Sequence, residues 1–275
     1  MEYKRKVDIA IRLLRAIPQD GPVELSYSGG KDSDVILELA RMSGIKFEAI
    51  YKNTTIDPPG TIKHCRENGV TILQPKETFF QLMERKGPPN RWAHFCCEAL
   101  KEYKVHDRAI QGIRRAESNK RAARYKEPEI CRTYPKGEKD RIYFPILEWE
   151  LEDVARFVEE RQIKLAPAYY DKEGTCHFDR RLGCIGCPLA SIKKRRQEFL
   201  DYPKMLRLWM LKTKQYMDAH PSCAMAKKNA SVWEKFYGDL FFESFQEYKE
   251  FFECQIFPFD AKGFLERYFN IDLTL

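Results

Sequence analysis

The sequence predicts an α/β fold: a parallel five-stranded sheet flanked by helices, followed by a helical C-terminal extension. Three observations carry this. Short apolar runs alternate with helical-period segments through the N-terminal half, as crossover connections require. An apolar run at 23–27 passes through paired glycines into a helix start. Beyond about residue 190 only the helical period remains.

The elements follow in order. Val7, Ala10, Ile11, Leu14 and Ile17 recur at helical spacing over 3–16, and Pro18 to Pro22 end that helix. A strand is predicted at 23–27, a turn at 28–30, and a helix over 34–42 with Val35, Ile36, Leu39 and Ala40 inward. A second strand lies at 47–51, a helix at 58–68, a third strand at 70–73, and helices at 79–85 and 95–103. The fourth strand is 108–112. A polar, charged segment spans 117–140, the fifth strand is 142–144, and the helix at 150–161 opens with acidic residues that complement its dipole. Residues 171–190 read as a loop rich in Gly and Cys. Helices are predicted at 193–219, 230–253 and 260–269. The boundary near residue 190 divides a 1–190 α/β domain from a 191–275 helical region.

The chain has 275 residues, 48 Lys+Arg against 41 Asp+Glu, and a formal charge of +7. Charges of both signs are interspersed, so the excess alone does not indicate nucleic-acid binding. No run of about eighteen apolar residues occurs, which excludes a membrane-spanning helix. The first residues lack the pattern of a secretory leader, so a cytoplasmic location is expected. Nine cysteines in a reducing compartment then read as metal ligands or free thiols rather than disulfides.

The strongest local signal is Ser28-Gly29-Gly30-Lys31-Asp32-Ser33, placed between strand and helix. Glycines let backbone N–H groups approach an oxyanion, and the helix N-terminus adds oriented donors. Lys31 brings a full charge, and Ser26, Ser28 and Ser33 bring hydroxyls. The pattern is not a Walker loop, because Asp32 rather than Ser or Thr follows the lysine. The bland alternative is a strand-turn-helix corner that uses glycine for geometry alone. Further on, Arg114, Arg115 and Arg121 have the guanidinium geometry that clasps phosphate or sulfate, against the ordinary alternative of a solvated surface.

The loop resembles the pyrophosphate loop of the PP-loop adenine nucleotide α-hydrolase superfamily, and three further segments are similar to motifs of its phosphoadenosine-phosphosulfate reductase family. These are Asn53-Thr54-Thr55-Ile56-Asp57-Pro58-Pro59-Gly60-Thr61; Gly112-Ile113-Arg114-Arg115-Ala116-Glu117-Ser118 with Arg121; and Phe144-Pro145-Ile146-Leu147-Glu148-Trp149 with Asp153-Val154. The resemblance implies an adenine nucleotide α-hydrolase-like fold that binds ATP or adenylylated sulfate. It implies nucleotide contacts from Ser26, Ser28, Gly29, Gly30, Lys31, Asp32, Ser33, Thr54, Thr55, Gly112, Arg114, Arg115 and Ser118. Catalytic roles fall on Lys31, Asp32, Asp57, Arg114 and Arg121, with Asp32 or Asp57 helping to hold Mg²⁺ between phosphates.

Cys184 and Cys187 form a Cys-x-x-Cys turn that can converge on a metal, and Cys96-Cys97 lie on a predicted helix. Zinc satisfies four thiolates as readily as a cluster does, although adjacent helical cysteines diverge by about 100° and suit a bulkier centre. The set resembles the [4Fe-4S] ligands of adenylylsulfate reductases, with Cys176 an alternative to Cys96 or Cys97, and Lys101 matches a basic position near that cluster. Cys65, Cys131, Cys223 and Cys254 read as free thiols. The five histidines, His64 among them, form no recognisable constellation.

Two departures shape the functional expectation. Reductases of this family carry a C-terminal Glu-Cys-Gly-Leu-His segment, whereas this sequence closes on Phe269-Asn270-Ile271-Asp272-Leu273-Thr274-Leu275. Cys254, flanked by Phe251-Phe252 and Ile256-Phe257, is expected to be a buried, unreactive thiol. The Gly-Gly-Lys-Asp-Ser form is closer to ATP-cleaving relatives, which include the ATP pyrophosphatases of DNA phosphorothioation and iron-sulfur tRNA thiolases. The leading expectation is therefore ATP cleavage to AMP and pyrophosphate that activates an acceptor for sulfur transfer. Alternatives are reduction of adenylylated sulfate with an external thiol, and a non-catalytic nucleotide-sensing or scaffold subunit. The implied partners are a sulfur donor or reductant protein and, as one acceptor class, a nucleic acid; no membrane is involved, and the oligomeric state is open. The aromatic stripe Trp233, Phe236, Tyr237, Leu240, Phe241, Phe245, Tyr248, Phe252 is expected to be core or interface.

Overall fold

The computed structural model describes residues 2–275 except 134–136, 138, 230 and 255–257, and only the backbone of Phe245 and Phe252. In chain order the elements are α1 (Tyr3–Arg15), β1 (Val23–Tyr27), α2 (Lys31–Ser43), β2 (Glu48–Lys52), α3 (Thr61–Glu67), β3 (Thr71–Leu73), α4 (Phe79–Lys86), α5 (Phe95–Leu100), β4 (Arg108–Gln111), α6 (Asn119–Arg124), β5 (Glu129–Thr133), β6 (Lys139–Tyr143), α7 (Leu151–Glu160), α8 (Ile192–Asp201), α9 (Pro203–Ala219), α10 (Ala224–Lys228), α11 (Val232–Phe241), α12 (Phe245–Glu253) and α13 (Ala261–Phe269). They form two compact units, one of residues 1–75 and 100–183, the other of 76–99 and 184–275.

The first unit is built on a six-stranded sheet of order β3-β2-β1-β4-β6-β5, parallel except for β5. Strands alternate their side chains between faces. Val23, Leu25 and Tyr27 point to one face, where they join a core with Leu14 of α1, Leu39 of α2 and Phe157 of α7. Glu24 and Ser26 point to the other. Both faces of a parallel sheet are ordinarily apolar, so a buried glutamate on the central strand marks a face kept polar for contact with something other than the core. From β1 the chain winds outward through β2 to β3, then returns to place β4 on the opposite side of β1. The β1/β4 boundary is the switch point where open α/β sheets leave a crevice.

The sheet has one strand more than the sequence predicts. β5 lies inside the segment read as polar and irregular, and pairs antiparallel with β6 so that Ile130 faces Ile142 and Arg132 faces Asp140. Its short period-2 alternation is masked by the charges between the apolar positions.

The second unit is helical among its described residues. The helix expected over 193–219 is two helices, because Tyr202 leaves helical geometry (φ −129°, ψ 64°) and Pro203, lacking an N–H, starts α9. The helix expected over 230–253 is also two, because Phe242 is extended and Ser244 caps α12 by accepting from the Glu247 amide at 3.2 Å. Tyr237 and Tyr248 of the aromatic stripe are buried against Phe251, Phe259 and Phe264. The Phe245 and Phe252 side chains, and Ile256 and Phe257, lie outside the described residues. Among the described residues no helix is long and apolar enough to cross a membrane.

Phe157 is 2% exposed and packs edge-on against Trp149 with centroids 5.5 Å apart. Phe157→Ala is expected to cost about 3–5 kcal/mol, read as a lowered midpoint in denaturant unfolding.

Candidate nucleotide site and thiol group

The loop after β1 is shaped by two glycines. Gly30 is the N-cap of α2, which starts three residues earlier than its apolar period predicts, at Lys31. Gly29 has φ +74°, and a Cβ there would approach Thr61 Cγ2 to 2.9 Å, so both backbone angle and space require glycine. Ser33 donates its hydroxyl to the Gly30 carbonyl at 2.6 Å, while Ser28 and Ser33 hydroxyls lie 3.3 Å apart. The Gly30 amide makes only a long 3.4 Å contact with Ser28 Oγ.

The loop after β4 closes on this one. A Cβ on Gly112 would sit 2.8 Å from the Asp32 carbonyl oxygen. Arg114, 4% exposed, donates its Nε to Asp32 Oδ1 at 2.6 Å. Lys31 Nζ lies 3.6 Å from Asp32 Oδ2 and donates to the Arg180 carbonyl at 3.3 Å. Lys31 is buried, and it lines the cavity over the loop. Burial lowers the pKa of its ammonium, with Arg114 acting in the same direction and Asp32 and Glu117 against it.

A polar cavity of about 130 Å³ sits over these groups, lined by Ser28, Gly30, Lys31, Ser33, Gly112 and Arg121 among others. Glu117, also in its wall, holds the guanidinium groups of both Arg121 and Arg181. Two residues here have no sequence signal. Tyr169 accepts the Lys31 amide on its hydroxyl at 3.0 Å from 138 positions away, and Arg181 reaches Glu117 across 64. Sharing Ser26 and Ser28 with this cavity is a second one of about 150 Å³ on the polar sheet face, whose lining includes Glu24, Ile50, Lys52, Lys101 and Gln111. Ser26 donates to Glu24 Oε1 at 2.7 Å and Lys52 Nζ lies 3.3 Å from the same oxygen, which neutralises the carboxylate.

The remaining residues named from the sequence lie as follows. Arg115 turns to the Tyr125 and Lys126 carbonyls and to Glu148, and does not line either cavity. Ser118 caps α6 by accepting from the Arg121 amide. Thr54 donates to Asp57 Oδ2 at 2.6 Å, Tyr51 donates to the same oxygen, and Lys101 lies 3.7 Å from Oδ1. Thr55 has φ +66°, a conformation that a β-branched residue adopts only under strain.

In the second unit, Cys96 and Cys97 lie on α5, and Cys184 and Cys187 in a tight turn where the Cys187 amide donates to the Cys184 carbonyl at 3.3 Å. Gly186 gives the turn its φ of +75°, and a Cβ there would collide with Phe199 at 2.5 Å. Cys97, Cys184 and Cys187 all act on Cys96. A hydrogen bond with Cys97 lowers the Cys96 pKa, against burial and the neighbouring Cys184 and Cys187, which raise it. Among the described residues, no three His, Cys, Asp or Glu side chains form a group that could hold a metal ion. Cys176 belongs to the other unit, partly buried against its core. Cys254, expected to be buried, is exposed at the end of α12.

The phosphoadenosine phosphosulfate reductase domain model matches residues 22–190. Two uncharacterized proteins of Methanocaldococcus jannaschii are 26% and 31% identical over 72% and 68% of this chain, which spans 43% and 46% of their lengths. Sulfate adenylyltransferase subunit 2 of Shewanella halifaxensis is 27% identical over 70% of this chain and 76% of its own. The solved phosphoadenylyl-sulfate reductase of Candida auris, a phosphate complex, aligns over 66% of this chain and 93% of its own with a TM-score of 0.44 and 14% identity.

Gly112→Ala is expected to drive the two loops apart and weaken pyrophosphate binding in calorimetry by about tenfold or more, with unfolding still cooperative. A protonated Lys31 attracts phosphate, so affinity is complete below its lowered pKa and falls as pH rises through it, earlier than for an ordinary lysine. Lys31→Arg, which stays charged, is expected to abolish that fall in a pH series of pyrophosphate titrations.

Proposed function

The chain belongs to the phosphoadenosine phosphosulfate reductase domain family, and from that premise we propose that it binds ATP across the two joined cavities and cleaves it to AMP and pyrophosphate to activate an acceptor for sulfur transfer. The observation that carries this reading is the polar cavity at the switch point, walled by Lys31, Arg121 and the glycine loop. The phosphates lie there, and the base and ribose lie in the adjoining cavity between Ile50 and Gln111. An acceptor oxygen attacks the α-phosphorus, the bond to the α,β-bridging oxygen breaks, and pyrophosphate leaves. Negative charge grows on that oxygen, toward which Lys31 and the Gly30 amide offer donors already fixed in place. Arg121 and Arg181, both paired with Glu117, exchange part of that pairing for phosphate oxygens.

Asp32 and Asp57, which already face cations or hydroxyls, are the carboxylates that would help hold a Mg²⁺ accompanying ATP, and the ion would offset phosphate charge. Cys96, Cys97, Cys184 and Cys187 are the residues that would hold a [4Fe-4S] cluster; they supply four thiols from one unit, although as they stand they are not gathered into a metal-holding group. Such a cluster would supply electron-transfer or sulfur chemistry beside the nucleotide-dependent reaction. The exposed thiol of Cys254 favours a second reading, reduction of adenylylsulfate by an external thiol.

Lys31→Ala is expected to cost about 1.5–3 kcal/mol of transition-state stabilisation, read as loss of AMP and pyrophosphate in assays with candidate acceptors. Sulfite formation from adenylylsulfate that Cys254→Ser abolishes would install the second reading instead. Protein purified without oxygen is expected to hold about four irons per chain and to lose them in Cys184→Ser; stoichiometric zinc without sulfide would refute the cluster.

A further inference from the structure

β1 ends on Tyr27, immediately before the Ser28–Ser33 loop, and Asp34 follows immediately after it on α2. The Tyr27 hydroxyl donates to Asp34 Oδ1, so a side-chain bond joins the two ends of the loop at its base. His64, on α3, aims Nε2 at the same carboxylate, 2.9 Å from Oδ1 and 3.1 Å from Oδ2, and its ring stacks on Tyr27 at 6.2 Å. Asn68 Nδ2, 3.4 Å from His64 Nδ1 and 3.0 Å from the His64 carbonyl, fits the tautomer with the proton on Nε2, so two donors converge on one acceptor.

Asp34 and His64 are each 3% exposed; core residues Val35 and Cys65 adjoin them in sequence, and on their other side they line a polar cavity with Glu38, Arg41 and Asn68. An apolar trio of the same volume would serve the core at least as well, because desolvating a carboxylate is costly even when it is hydrogen-bonded. What an apolar trio could not do is fix the spacing between the two ends of the loop. α3 also begins where the 53–60 loop ends, so the same carboxylate ties both loops to one point.

We propose that Tyr27, Asp34 and His64 form a clamp that holds the Ser28–Ser33 loop in its anion-binding shape, with Tyr27 and His64 as positioning residues for bound phosphates. The proposal rests on reading that loop as a phosphate site. Neither residue lines the phosphate cavity, although Tyr27 lines the adjoining one, so their effect on bound pyrophosphate is transmitted through Asp34.

The test is calorimetric titration of inorganic pyrophosphate into the full chain and four variants. His64→Leu removes the donor, His64→Gln keeps an amide N–H at about the reach of Nε2, and Tyr27→Phe removes only the hydroxyl. Leu39→Ala, on α2 in the same core, is the control for destabilisation alone. Expected are roughly tenfold weaker binding in His64→Leu and in Tyr27→Phe, and near wild-type binding in His64→Gln and Leu39→Ala. The clamp is overturned if Tyr27→Phe binds as wild type does, if His64→Gln is as weak as His64→Leu, or if Leu39→Ala loses as much as they do. Failure of the wild-type chain to bind pyrophosphate at all would instead bring down the phosphate-site reading, and the clamp with it.

Discussion

The contact on which the site depends is the approach of Gly112 to Asp32 at the β1/β4 switch point. A side chain at 112 would stand 2.8 Å from the Asp32 carbonyl, so only glycine lets the two loops close. The Arg114 to Asp32 ion pair then locks the closure at 2.6 Å. Arg114 is buried and the Asp32 side chain is 18% exposed, so loss of one partner leaves the other's charge poorly solvated and costs more than breaking a surface pair would. Lys31 and Arg121 share one cavity wall because that closure holds.

Two carboxylates offset four cations around the cavity: Asp32 pairs with Lys31 and Arg114, and Glu117 with Arg121 and Arg181, which leaves a net excess of positive charge. A site poised for a polyanion but otherwise exposed to mutual repulsion among four cations gains from such internal counter-ions. An entering phosphate competes with carboxylates already in place, which favours highly charged ligands over singly charged ones. The neighbouring cavity is different in kind. Its Glu24 is matched by Lys52, and Ile50 and Ala109 give it apolar surface, as suits the less charged end of a nucleotide.

Much of this was legible in the sequence because it is local. The strand, the paired glycines and the lysine of the 28–33 loop lie within a few residues, and the helical periods of α1, α2 and α7 recur on one face. What was not legible depends on distance along the chain. His64 looked isolated because its partner Asp34 lies 30 residues away, and Tyr169 and Arg181 approach the loop from the far end of the unit. Exposure of Cys254 reverses the expectation drawn from its neighbours in sequence, since solvent access follows the tertiary surroundings. β5 was hidden by alternating charges, and Pro203 divided a helical period that the apolar pattern read as continuous.

The most direct measurement is a crystal structure of the chain soaked with the α,β-methylene analogue of ATP, which cannot be cleaved at the bond in question. The account predicts the β- and γ-phosphates against Gly30, Lys31 and Ser33, with Arg121 turned from Glu117 toward them and the base between Ile50 and Gln111. Phosphates bound anywhere other than the 28–33 loop, with the Arg121 to Glu117 pair undisturbed, would contradict it.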